Sequence, residues 1–174
     1  MMIALALGIL YVSFARAGLE RVSEDEKYDN LRKVTVSFGE NSCYKLPETR
    51  TLPDSPFYGL KSLRDELWIN LSNEPLEKAR ITLLIADKKI EEAIVLSKKN
   101  GKKDLIIKTS QQAAEKLKSA KDLISKMNDK DIEVQKVSQR IEMATLAYKD
   151  IIDSFKIDDK NQQGLFKLID TCNE

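Results

Sequence analysis

The segment Asp159-Lys160-Asn161-Gln162-Gln163-Gly164, continuing to Asp170, comes nearest in residue type and spacing to a site with chemistry. Oxygen-bearing side chains at positions 1, 3 and 5, glycine at 6 and a carboxylate at 12 follow the order in which a calcium loop supplies its ligands. The candidate ligands are Asp159, Asn161, Gln163 and Asp170. Gln163 is an atypical ligand, Lys167 stands where an acid or a water-holding residue is usual, and Asp170 is shorter than the customary glutamate. A polar turn between two helices accounts for the same residues without a metal.

Other chemistry is thinly represented. Histidine is absent, which removes His-based triads, His general bases and His metal ligands. No glycine-rich phosphate loop, nucleophile elbow or zinc spacing occurs. Carboxylates are plentiful, but the expected helices carry them on exposed faces, where their pKa values need not shift. The chain therefore reads as non-enzymatic and without a cofactor. A net charge of +1, from 29 basic and 28 acidic residues, gives no support for nucleic-acid binding. Lys98-Lys99-Asn100-Gly101-Lys102-Lys103 concentrates positive charge, either to meet an anionic lipid or wall polymer or simply to complement a helix C-terminus. Cys43 and Cys172 are either a disulfide pair, as an oxidising compartment would allow, or two separate thiols.

These groups must be carried by long helices. Charged residues make up 33% of the chain and aromatics 6%, with few Gly (6) and Pro (4). That composition suits helices with wide solvated faces and narrow apolar seams. Asp54-Ser55-Pro56 starts a first helix running to about Leu71, with Phe57, Leu60, Leu63, Leu67 and Leu71 on one side. A second helix spans about Pro75–Lys99, with the seam Leu76, Ala79, Leu83, Ala86, Ile90 and Ala93, and should be the most buried. Asn100-Gly101 ends it, the glycine suited to a left-handed conformation. A third covers about Lys103–Met127 through Ile106, Ala113, Leu117, Ala120 and Ile124. A fourth covers about Lys130–Phe155 through Val134, Val137, Ile141, Ala144, Tyr148, Ile151 and Phe155. A last short helix lies within Gly164–Ile169. The expected fold is all-α: an antiparallel bundle of three long helices and one shorter, with coiled-coil-like packing, occupying residues 54–174. Before it, residues 18–53 read as an irregular spacer. In that spacer Lys33–Phe38 alternates as a short strand with no clear partner.

Residues 1–17 read as a targeting segment. Met2–Phe14 is apolar and shorter than the ~20 residues of a spanning helix, and Ala15-Arg16-Ala17 supplies the small residues of a cleavage site. The expectation is export with cleavage after Ala17. Because no Lys or Arg precedes the apolar run, a retained membrane anchor is the alternative.

Ser55-Pro56-Phe57-Tyr58-Gly59-Leu60-Lys61-Ser62-Leu63 resembles the opening of domain-of-unknown-function family 5667, a bacterial family typically exported or membrane-anchored. That family begins its helical part with a Pro-x-Ser-Pro-x-Tyr-x-Leu-Lys-like segment, and Pro53–Lys61 is similar. Ala86-Asp87-Lys88-Lys89-Ile90-Glu91-Glu92-Ala93 is a second match. The resemblance covers about Leu52–Lys126 and rests on Pro56, Tyr58, Leu60, Lys61, Ala86, Glu92 and Ala93. Gly59 stands where proline is common, Asp65 where glutamate is, and Lys88-Lys89 where arginine is. The resemblance implies an all-α exported domain and carries no catalytic residues.

Taken together, the sequence points to an extracytoplasmic protein- or peptide-interaction module. The competing readings are a membrane-proximal structural or envelope-stress component, associated through the N-terminus, and a weak calcium binder. Seam residues left over could also bury themselves in a homodimer.

Overall fold

The computed structural model describes residues 31–38, 42–155 and 157–170, and for 159, 167, 168 and 170 the backbone alone. The order is β1 (Arg32–Phe38), β2 (Ser42–Pro47), α1 (Tyr58–Leu71), α2 (Pro75–Lys98), α3 (Lys103–Ile124), α4 (Ile132–Ser154) and α5 (Asp159–Asp170). The described residues are mostly helical, with one small two-stranded sheet.

Everything is arranged about α2, of which fifteen of 24 residues are buried. Pro75 opens it at a position where no N–H is needed, behind Glu74. Its seam residues Ala79, Leu83, Ala86, Ile90 and Ala93 join Ile106, Ala113, Leu117, Ala120 and Ile124 of α3 in one apolar core. The turn between the two closes by paired backbone bonds: Gly101 N–H to Leu96 O at 2.8 Å and Asn100 N–H to Ser97 O at 3.1 Å. Asn100, rather than the glycine, takes the left-handed conformation, with φ 53°. Gly101 is needed for closeness instead, since a Cβ there would lie 3.0 Å from Leu96 O.

α4 starts where the Asp131 carboxylate accepts the Glu133 N–H at 2.9 Å. All seven of its expected seam residues, from Val134 to Phe155, are buried. The Arg80 guanidinium of α2 reaches Glu133 at 2.5 Å and ties the two helices. α5 is longer than expected, and its Leu165 and Ile169 are buried in the same core.

Two expectations are overturned. The stretch read as an irregular spacer contains an antiparallel hairpin, in which Val34 pairs with Leu46, Val36 with Tyr44 and Phe38 with Ser42. Phe38, Tyr44 and Leu46 enter the common core, so the strand at 32–38 has both a partner and a floor. The second correction concerns α1. Its leucine side faces solvent: Phe57 is 69% exposed, Leu60 68%, Leu63 57%, Leu67 42% and Leu71 60%. The side buried against α2 carries Asp65 and Ile69, with Tyr58 and Lys61 beside them. The helix is thus seated by polar contacts, and its apolar stripe is turned outward.

This inversion sets a stability contrast. Leu83→Ala removes a core side chain and is expected to cost about 2–5 kcal/mol, whereas Leu63→Ala stays within about 0.5 kcal/mol of the parent. Urea unfolding followed by circular dichroism measures both. A comparable loss at the two positions would mean that the α1 leucines are covered.

Candidate functional site

The polar run Asp87-Lys88-Lys89-Ile90-Glu91-Glu92 lies in the middle of α2, and a helix sends successive residues to different sides. Asp87 therefore faces the hairpin and α4, while Lys88, Lys89 and Glu92 face α1.

Asp87 is fully buried. Its Oδ2 accepts from Arg32 Nε at 3.2 Å and Nη2 at 2.9 Å. Its Oδ1 accepts from Tyr44 Oη and Tyr148 Oη, each at 2.9 Å. Burial pushes the Asp87 carboxyl up, opposed chiefly by the Arg32 guanidinium and by the tyrosine and arginine hydrogen bonds. Burial, and then the negative charge of Asp87, push both tyrosines far above their ordinary value. They stay phenols and donate. β1, β2, α2 and α4 thus meet at one carboxylate.

Glu92 is also fully buried, on the α1 side. It accepts from Tyr58 Oη at 2.7 Å and pairs with Lys61 Nζ, which also donates to Thr51 O at 3.0 Å. Lys89 Nζ donates to the Tyr58 hydroxyl and lies 4.6 Å from the centre of its ring. Burial raises Tyr58, with the Glu92 hydrogen bond and charge adding to it. Burial lowers Lys89, against the pull of Glu92.

A third contact holds the far half of α1. Asp65 is buried, accepts from Arg64 Nη2 at 2.7 Å, and lies 3.9 Å from Lys88 Nζ. The Lys88 ammonium sits 5.2 Å from the centre of the Trp68 ring. Beside this set, Glu91 accepts the Thr49 N–H at 3.2 Å, and burial brings its pKa to about 7.

Chemically, these groups saturate one another. Tyrosines raised well above neutrality and carboxylates filled with donors are poor nucleophiles and bases, but they hold separate segments in register. Tyr58 turns its hydroxyl inward to Glu92. Lys61, Asp65, Lys88 and Glu92 are interlocked across α1 and α2. Asp65, Asp87, Glu91 and Glu92 are buried, against the expectation that the carboxylates sit on exposed faces.

Of the other residues singled out in the sequence, Pro56 precedes α1, Leu60 is exposed on its outer face, and Ala86 and Ala93 lie in the core. Asp159–Asp170 is one continuous helix. A calcium loop would fold its first and twelfth residues around one ion, whereas a helix sets them about 16 Å apart along its axis. The loop reading of Asp159, Asn161, Gln163 and Asp170 is therefore replaced by a helix. No acidic or thiol cluster suited to a metal occurs among the described residues. Cys43 is exposed on β2, with its sulfur 4.0 Å from Ser37 Oγ. Cys172 lies outside the described residues, as does the whole of 1–17.

Arg32, Tyr44 and Asp87 are the residues that sequence reasoning missed as a site. The signal was an acid on an apolar seam: Asp87 lies four residues after Leu83 and three before Ile90, both buried.

The family described as Domain of unknown function (DUF5667) matches residues 50–161. The chain belongs to the DUF5667 family. No curated protein and no solved structure matches it. The DUF5667 segment contains Tyr58, Lys61, Asp87, Glu92 and Tyr148, so the whole α1–α2 lock lies inside it. Arg32 and Tyr44, which complete the surroundings of Asp87, lie before it.

Asp87→Ala removes the carboxylate that the buried Arg32 guanidinium faces and is expected to cost about 3–5 kcal/mol. Tyr148→Phe, losing one donor to a charge, is expected to cost about 1.5–3 kcal/mol. Chemical unfolding checks both, and a loss under about 1 kcal/mol for Asp87→Ala would argue against a dry pair.

Glu91 sets a pH dependence. Its folded pKa, about 7, is above the usual carboxylate value of 4.5, so the folded state holds the proton more tightly. Its contribution is fully present below pH 4.5 and is lost as pH rises through 7. Glu91→Gln is expected to flatten the fall in unfolding free energy between pH 5 and 8 relative to the parent. An unchanged slope would exclude Glu91 as its source.

Proposed function

We propose that this DUF5667 domain is a non-enzymatic interaction module of the extracytoplasmic side, a bundle of antiparallel helices that offers the outer face of α1 to a partner. One observation carries the reading: α1 is seated by charge and hydroxyl contacts, which leaves its large apolar residues on the solvent side. Such a contiguous exposed stripe is the usual mark of an interaction surface. The interlocked state of Asp87, Glu92 and their tyrosines supports a scaffold role for the groups that would otherwise suggest chemistry. A protein or peptide partner would lie along the stripe as one helix lies along another. The second reading, a membrane-proximal component at the envelope surface, is favoured by Arg64 and Trp68 on and beside the stripe.

A photo-cross-linking residue at Leu63 in the native cells is expected to trap a discrete species, protein or lipid, that the same residue at the exposed α4 position Gln139 does not. Leu63→Ser with Leu67→Ser, which leaves the core untouched, is expected to abolish capture from a cross-linker at Leu60. Indistinguishable products from Leu63 and Gln139 would sink the reading.

A further inference from the structure

On the docking reading above, we infer that the occupant of the α1 face is an anionic lipid surface, on which the helix lies flat with Phe57, Leu60, Leu63, Leu67 and Leu71 inserted.

The composition of the face fits such a surface. At about 100° per residue, the five apolar residues fill an arc of about 120° along a stripe about 21 Å long. The only charged residue inside that arc is Arg64, whose side chain is 59% exposed. Neither acid of α1 lies in it: Asp65 is turned under the helix, and Glu66 is bound by Lys116 of α3 at 2.6 Å. Trp68 flanks the arc with the Lys88 ammonium over its ring. Leucine, phenylalanine and tryptophan bordered by cations are what a helix lying in a headgroup layer requires.

The charge nearby is complementary to an anionic surface. The start of α1 meets α2 at Lys89 and Glu92. About 9 Å further along α2 comes the turn with Lys98, Lys99, Lys102 and Lys103, all exposed, with Asp104 the one acid in the segment 98–104. A basic turn beside an apolar ridge suits a negatively charged leaflet.

Competing occupants fit the face less well. Arg64 stands at the midpoint of the Phe57–Leu71 stripe. A second copy packed antiparallel about that midpoint would therefore set two guanidinium groups against each other. A stable protein interface takes about 20–30 residues a side, and the stripe offers six. A single convex helix offers a protein partner only a narrow helix-on-helix contact, whereas a lipid surface deforms around it.

Trp68 is the only tryptophan of the chain, so its fluorescence reports on α1 and not on the apolar run near the N-terminus. The full chain is titrated with phosphatidylcholine vesicles containing about 30% phosphatidylglycerol, with and without brominated acyl chains. Expected are a blue shift and bromine quenching of Trp68. Leu63→Ser with Leu67→Ser should weaken the partition about tenfold or more with an unchanged circular dichroism spectrum. Arg64→Glu, and about 0.5 M salt, should each weaken it several-fold. Co-flotation of the chain with unquenched Trp68 would overturn the inference and assign binding to the N-terminal run. No flotation, together with either a dimer abolished by Leu63→Ser or a protein captured from Leu63, would overturn it while leaving the docking reading in place. No flotation, no dimer and no specific capture would overturn both.

Discussion

The burial of one carboxylate organises this domain. Asp87 has no contact with water, and a lone ionised group in that position would be untenable. It is kept by an arginine and a tyrosine from the hairpin and a tyrosine from α4, so those three segments must come to α2 together. The apolar core supplies most of the burial, but it is tolerant of sliding and repacking. The Asp87 contacts are directional and admit one arrangement. A buried charged group of this kind serves uniqueness of packing more than net stability, and here it fastens the two strands to the helices.

The same logic explains α1. A helix with five large apolar residues on one side would ordinarily lay that side on its neighbour. In this chain the neighbour presents Lys88, Lys89 and Glu92, and the opposite side of α1 carries Tyr58, Lys61 and Asp65 to match them. Two interaction energies compete for one helix. The polar set prevails because each of its charges has an opposite charge close at hand, and Glu92, already beside Lys89, gains Lys61 and the Tyr58 hydroxyl from α1. The apolar set is then left for something outside the domain.

These two features also mark where sequence reading succeeded and where it stopped. The spans of α2, α3 and α4 were legible within a few residues, because long 3-4 repeats and the Pro75 and Asn100-Gly101 boundaries agree with one another. The face of α1 was not, since periodicity reveals that leucines share a side and is silent on which side is wanted. The hairpin was half legible: Lys33–Phe38 alternates over six residues, while Tyr44 and Leu46 offer only two apolar positions before Pro47. The family motif was legible as letters, and its meaning emerged only when Tyr58 and Lys61 met Glu92 across 31 to 34 residues. The calcium-like spacing of Asp159–Asp170 was a coincidence of composition, since the apolar residues Leu165 and Ile169, at helical spacing, govern that segment.

The Asp87 contacts also constrain the order in which the chain can assemble. Its partners lie 43, 55 and 61 residues away along the chain, whereas α2 and α3 are joined by a short turn and pair locally. Closing a long loop carries an entropy loss that a neighbouring hairpin avoids. The α2–α3 pair can therefore form while Asp87 is still hydrated at its surface. Dehydration of that carboxylate belongs to the last stage, when β1, β2 and α4 arrive together. Until then the half-built domain carries a solvated charge in the middle of its stickiest surface, which guards that surface against the wrong apolar partner.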